Sequence, residues 1–291
     1  PPPPPPTPTS RCSSAASDVY KRQSEVRTLE QARAAGADVR AVSGPADVLA
    51  LARAAPERRV VFFAAGFETT AAPVAAMLAQ DMPDNLSLLL SARRTWPVVE
   101  ELLASGEAEI DALIAPGHVC TITGPEEWAA AANRFGVPVA VGGFDPLSLL
   151  EAILAVLGQV SDGEARLQNC YASVVRPGGN RVARKCLDEV FEITEATWRG
   201  LGCIPRSGYA VRDAYAGRDA RRLLPPVEAE HRARAGEMPA GCDCAGVVLG
   251  RITPSQCRIY GRPCTPRNPV GPCMVSDEGA CRIWWASGVR D

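Results

Sequence analysis

The chain has 291 residues, 46% hydrophobic and 22% charged, enough to bury a real core and to make one or two domains. Its net charge of −2 at pH 7 gives no broad basic field to draw phosphate backbones or anionic lipid onto the surface, which argues against nucleic acid as a partner. No long apolar run spans a bilayer and no basic-then-apolar leader opens the chain, so a soluble cytoplasmic protein is expected.

Residues 1–23, "PPPPPPTPTSRCSSAASDVYKRQ", are polar and low in complexity, with too little apolar surface to offset the entropy of ordering a chain. Disorder is predicted there. The abrupt change of texture after Gln23 reads as a leader foreign to the fold that follows.

From residue 24 to about 165, short apolar runs alternate with Ala/Leu-rich amphipathic segments, the rhythm of an α/β fold with parallel strands. Strands are predicted at 39–44, 59–66, 86–92, 111–117 and 137–143. Helices are predicted over "EVRTLEQARAA", "PADVLALARAA", "TAAPVAAMLAQ", "WPVVEELLASG", "PEEWAAAANRF" and "PLSLLEAILAVL", several opening on Pro or an acid and closing near Gly. Near-continuous apolar strands imply a sheet covered on both faces, so the expectation is a doubly wound three-layer domain. A mixed helical connecting region is expected over 166–236, with one helix across "NRVARKCLDEVFEITEA". Residues 237–291 then form a small cysteine-rich lobe, whose few core residues call for a staple.

In open α/β sheets, ligands sit beyond the carboxyl ends of the strands. The turn after 59–66 is "GFETT", which places Glu68, Thr69 and Thr70 there; the turn after 111–117 brings His118; the turn after 137–143 brings Asp145. Each has a plainer reading. Thr69 and Thr70 can cap the next helix, Asp145 can cap a helix that opens on Pro146, Glu68 can be solvated in its loop, and His118 can be structural. His231, in a run of charges, reads as solvated.

Eleven cysteines in a chain expected to stay in a reducing compartment point to a metal or to redox work rather than to disulfides. Cys12, Cys120, Cys170, Cys186 and Cys203 are scattered and read as small hydrophobes. The other six are Cys242, Cys244, Cys257, Cys264, Cys273 and Cys281. No Cys-x-x-Cys occurs, which weakens a zinc ribbon. Taking Cys244, Cys257, Cys264 and Cys281 gives C-x12-C-x6-C-x16-C, four thiolates on separate turns. That number suits a [4Fe-4S] cube or tetrahedral zinc, and spacing does not decide between them.

"VVFFAAGFETTAAP", "IDALIAPGHVCTITG", "VPVAVGGFDPLSLLEAI", "TWRGLGCIPRSGY" and the tail's C-x12-C-x6-C followed by "GPCMVSDEGAC" together resemble the hydrogenase maturation protein HypD family, in order from about Leu29 to Trp285. The resemblance implies a cytoplasmic scaffold that helps to build the iron carrying cyanide and carbon monoxide for [NiFe] hydrogenase. Its implied partners are a HypC-like small chaperone and a HypE-like cyanide donor. It implies a [4Fe-4S] cluster on Cys244, Cys257, Cys264 and Cys281, with Cys242 and Cys273 as neighbours, and functional roles for Glu68, Thr69, Thr70, His118 and Asp145. Three positions depart from the family pattern: Asp145 in place of the usual Glu, Arg93 in place of His, and Ser173 where Arg is common. Family members also begin with an α/β lobe bearing Cys-Gly-Thr-His and Cys-x-x-Cys motifs that hold the nascent iron. Neither motif is in this sequence, so a chain lacking the iron-holding lobe is expected.

Two other classes compete. One is an α/β transferase or hydrolase in which Glu68, His118 and Asp145 do acid/base work while zinc staples the tail. The other is a zinc module that mediates protein contacts.

Overall fold

Short aliphatic runs separated by amphipathic segments fold, in the computed structural model, into two parallel sheets and an antiparallel hairpin. The structure describes residues 10–14, 29–80, 82–106, 108–198, 201–224, 238–275, 277 and 279–288. Residues 225–237, with His231, and most of the opening low-complexity segment lie outside the described residues.

The first sheet holds β1 (Ser10–Ser14), β2 (Val39–Val42), β3 (Val60–Gly66) and β4 (Leu86–Ala92), all parallel, in the order β2-β1-β3-β4. Strand β1 lies inside the segment whose composition predicts disorder. An inner strand position is filled by backbone donors and acceptors, which every composition supplies. Helices α1 (Leu29–Ala34), α2 (Pro45–Ala54) and α3 (Glu68–Leu78) alternate with these strands. Strands β3 and β4 are buried along nearly their whole length, and Phe62, Leu86 and Leu88 pack with Val48 of α2 and Val74 and Met77 of α3. Continuous apolar runs are what a parallel sheet covered on both faces requires.

The second sheet holds β5 (Leu113–Pro116), β6 (Val139–Gly142) and β7 (Leu167–Asn169), again parallel. Helices α4 (Thr95–Ala104), α5 (Gly117–Thr123), α6 (Ala129–Phe135) and α7 (Pro146–Asp162) connect and cover it. Trp96 of α4 meets Trp128 edge-on, 5.4 Å between ring centroids, in a core with Ala115, Val139 and Val141.

All five predicted strands form, yet they divide between two sheets. The free edge of β4 is already taken, because Arg93 bridges Gly208 and Leu88 bridges Asp219. With that edge occupied, β5 starts a sheet of its own.

Those bridging residues come from downstream. Helix α8 (Arg181–Val190) runs straight into β8 (Phe191–Trp198), which pairs antiparallel with β9 (Gly202–Val211). The sequence predicts one helix across 180–196, and the structure breaks it at Val190. From Phe191 onward the backbone bonds to β9, and Phe191 joins Val211, Leu187 and Val190 in the first core. The Phe, Ile, Thr and Trp of this stretch suit a pleated strand, and the distant partner completes it.

Helix α9 (Ala220–Leu223) lies against β4, and the tail contains α10 (Cys244–Val248), α11 (Pro272–Val275) and α12 (Ala280–Ala286), all short. Its core is small: Cys257, Tyr260, Cys264, Met274 and Cys281, with Trp285 edge-on to Tyr260. Among the described residues, no helix is long and apolar enough to cross a membrane.

Candidate functional site

Glu68 opens α3 and is 1% exposed, so it is not the solvated loop acid that its position suggests. Its two carboxylate oxygens accept from the Thr95 backbone N–H at 2.7 Å and from the Thr95 hydroxyl at 2.8 Å. Helix α4 begins at Thr95, and its own N-cap residue, Arg94, offers no side-chain acceptor. Glu68 therefore caps α4 from a different element, satisfying a donor that a helix end leaves open. Burial holds its carboxyl above the usual range, against the lowering pull of the Thr95 bonds and the Arg94 charge.

Around this acid lies a polar network that sequence reading misses. Arg94 is buried; it donates to Glu127 at 2.7 Å and to the Arg206 carbonyl at 3.1 Å. Arg206 holds a left-handed φ of 57°, the sole such non-glycine among the described residues. Ser207, fully buried, accepts from the Trp198 indole N–H at 2.8 Å and donates to the Ile204 carbonyl at 2.8 Å. Burial, then the nearby Glu68 charge, pushes the Tyr209 phenol up. Arg93 sits beside these groups on a groove of about 320 Å³, and its guanidinium donates to the Ala92 and Thr197 carbonyls. Two consecutive arginines at a strand end were the available signal, since buried guanidinium groups need partners.

Thr69 and Thr70 do not cap α3. The helix starts one residue before them and its N-cap, Phe67, makes no side-chain cap bond. Asp145 does cap: its side chain accepts from the Ser148 N–H at 2.8 Å at the start of α7.

His118 stands exposed in the first turn of α5, with Phe144 at 4.5 Å and Tyr171 at 6.2 Å between ring centroids. Tyr171 follows β7 in a turn held by Asn169, whose oxygen accepts the Tyr171 N–H and whose amide donates to Val175. Its ring lies against Gly117 and Gly143, where an added Cβ would come within 2.7 Å of ring carbons. His118 and the Asp145 turn thus share the carboxyl edge of the second sheet, whereas Glu68 belongs to the first. The helices carrying His118 and Glu68 pack together, and it is Cys120 of α5 that feels the Glu68 charge. Burial first, then that charge, raises the Cys120 thiol to about 12, which leaves it an inert core thiol.

Cys242, Cys244 and Cys264 gather around Gly271, and Cys273 and Cys281 meet the Cys244 sulfur. Cys257 follows a Thr253/Gln256 capping box; Cys264 closes the next turn, donating its N–H to the Ile259 carbonyl at 2.9 Å; Cys281 sits on α12. The Cys264 sulfur accepts the Gly271 N–H at 3.5 Å. An added Cβ at Gly271 would come within 2.5 Å of the Cys242 sulfur and 2.8 Å of the Cys244 sulfur. Cys242 donates to Cys244 at 3.2 Å, and Cys273 contacts the sulfurs of Cys244 and Cys281. Cys244, Cys257, Cys264 and Cys281 are the buried four, at 3 to 6% exposure, while Cys242 and Cys273 are half-buried.

The Cys244 sulfur and burial raise the Cys273 thiol to about 12, against the lowering effect of Cys281. Cys281 also rises to about 12: the Cys244 sulfur lowers it, and Cys273 and burial outweigh that. Thiols so crowded stay protonated until a cation displaces the protons. Among the described residues, no three His, Cys, Asp or Glu side chains close tightly enough on one point to hold a single ion. Four buried soft sulfur donors from four separate turns do suit an iron-sulfur cube, a larger guest than one ion.

Sequence comparison gives this geometry relatives. The family profile HypD, described as "Hydrogenase formation hypA family", matches residues 11–288, beginning inside the low-complexity segment. The chain is 38% identical over 270 residues to the Hydrogenase maturation factor HypD of Azotobacter vinelandii, covering 90% of this chain and 70% of that protein. It is 41% identical over 265 residues to the Hydrogenase maturation factor HypD of Rhodobacter capsulatus, with the same shares covered. It is also similar to the Hydrogenase expression/formation protein HupD of Azotobacter chroococcum mcd 1, 38% identical over 273 residues.

Proposed function

The chain belongs to the HypD family, and on that footing we propose that it serves hydrogenase maturation as an iron-sulfur scaffold. The observation that carries the reading is the burial of four of the six tail cysteines: Cys257, Cys264 and Cys281 lie in one small core, and Cys244 sets its sulfur against those of Cys273 and Cys281. These four would hold a [4Fe-4S] cluster, which when bound supplies electrons at a potential set by its burial and its hydrogen bonds. The protein's own contribution is position: the capping box fixes Cys257, the Gly271 N–H aims at the Cys264 sulfur, and Cys242 and Cys273 stand beside the ligands. The substrate is iron that acquires cyanide and carbon monoxide. A HypC-like small chaperone and a HypE-like cyanide donor are the proposed partners, and the cytoplasm is the proposed location.

Acid/base chemistry by Glu68, His118 and Asp145 has less support. The Glu68 and Asp145 side chains are both engaged as helix caps, and His118 packs at a tilt against Phe144 and edge-on to Tyr171 in a separate aromatic cluster. Glu68 instead locks α4 against α3, which holds the buried Arg94 and the β8–β9 hairpin in place beside it.

Purification without oxygen tests the reading. The expected protein is brown and carries about four irons per chain. Cys257→Ser should bleach it and Cys273→Ser should keep most of the colour. Colourless protein with one zinc rejects the cluster in favour of a staple, and equal bleaching by both variants rejects this choice of ligands.

A further inference from the structure

Helix α7 carries its buried residues, Ala152, Val156 and Gln159, on one side and leaves an apolar stripe uncovered on the other. Leu147, Leu150, Leu154 and Leu157 repeat at spacings of three, four and three, each more than half exposed. Phe144 and Val160 extend the stripe at its ends. An ordinary monomer surface scatters such residues singly, so a contiguous row marks a contact.

We infer that this stripe docks a partner protein presenting an apolar face rimmed by lysine or arginine. The inference rests on the maturation role proposed above. Three features choose the occupant. Residues 144–164 contain no lysine or arginine; Asp145 caps the helix and Glu164 pairs with Arg166, while Glu151 and Asp162 leave the stripe an acidic rim that a basic rim complements. A second copy placed antiparallel about the middle of α7 would set Glu151 against the copy's Leu157, a carboxylate at the edge of an apolar contact with no basic residue of α7 to pair it. An amphipathic helix lying on a membrane carries lysine and arginine on its polar face, and α7 has neither. The exposed area, several hundred Å², approaches the roughly 800 Å² that one partner contributes to a stable interface.

The test measures binding of the full chain, purified without oxygen, to the HypC-like and HypE-like proteins of the same organism, each at low and high salt. The variants are Leu150→Asp/Leu154→Asp and Glu151→Lys. Both sites are solvent-facing, and iron content and circular dichroism check that fold and cluster persist. The double variant should weaken one of the two complexes tenfold or more, and Glu151→Lys should weaken the same complex while flattening its salt dependence. If wild type binds either protein and both variants bind equally well, this inference fails and the scaffold reading stands. If wild type binds neither while the iron is present, the partners proposed above fall and this inference with them. A wild-type dimer that Leu154→Asp turns into monomer, or co-sedimentation of wild type with phosphatidylglycerol vesicles, also overturns it.

Discussion

The Glu68 carboxylate satisfies the start of a helix it does not belong to, and its burial has a consequence for pH. Its ordinary value is 4.5 and burial raises it. Above pH 4.5 the unfolded chain has released a proton that the folded chain still holds. The contribution to stability is therefore complete below 4.5 and fades as pH rises through the folded value. Glu68→Gln keeps an acceptor for the Thr95 N–H and removes the titration. Urea denaturation between pH 4.5 and 7 should show a flatter slope for that variant than for wild type; equal slopes would mean that Glu68 does not titrate in this window. Glu68→Ala leaves both Thr95 donors without their acceptor and should cost about 2 kcal/mol, read from the same curves. Gly271 is the second residue with a sharp demand. A side chain there would displace the Cys242 and Cys244 sulfurs, so Gly271→Ala should fold its α/β sheets normally yet carry less than half the wild-type iron. Full iron in that variant would show that the sulfurs can move aside.

At the scale of elements, the sequence reads best where burial repeats locally. The runs at 60–66 and 86–92 are apolar at nearly every position, and both form strands within a residue of expectation. It reads worst where a distant partner completes an element. Phe191–Trp198 carries Phe, Ile, two Thr and Trp, a strand signal that the helical start of the segment hides, and it pairs with Gly202–Val211. Ser10–Ser14 offers Cys12 alone as an apolar residue. The short helix Gly117–Thr123, missed by sequence, turns His118 outward and Cys120 inward. The hairpin also explains Arg206. Its carbonyl must face Arg94, and the backbone turns left-handed to bring it there. Arg206→Gly should therefore raise the thermal midpoint slightly, because glycine adopts that conformation without strain; a drop would place more value on the Arg206 side chain than its backbone role explains.

The whole molecule joins two bodies of unequal strength. The α/β part has two substantial cores, one around Phe62, Leu88 and Val74 and one around Trp96, Trp128 and Val139. The tail rests on a few residues, most of them cysteines. If a cluster holds the tail together, anaerobic removal of iron by a chelator should unfold that region alone. Limited proteolysis should then cut within 238–288 while the sheet cores keep their thermal transition. A single unchanged transition with no new cleavage would show that the tail folds without metal.

What the sequence by itself determined was the α/β class, all five predicted strands and the six-cysteine tail, because apolar periodicity and residue type are local properties of the chain. Only the tertiary structure decided that the strands divide between two sheets, that Glu68 caps α4, that Arg94 lies buried beside it, and which four tail cysteines are buried. Each of these depends on which distant backbone edge or polar atom reaches the position first. An occupied sheet edge turns the next strand away, and a buried carboxylate is settled by the nearest donor.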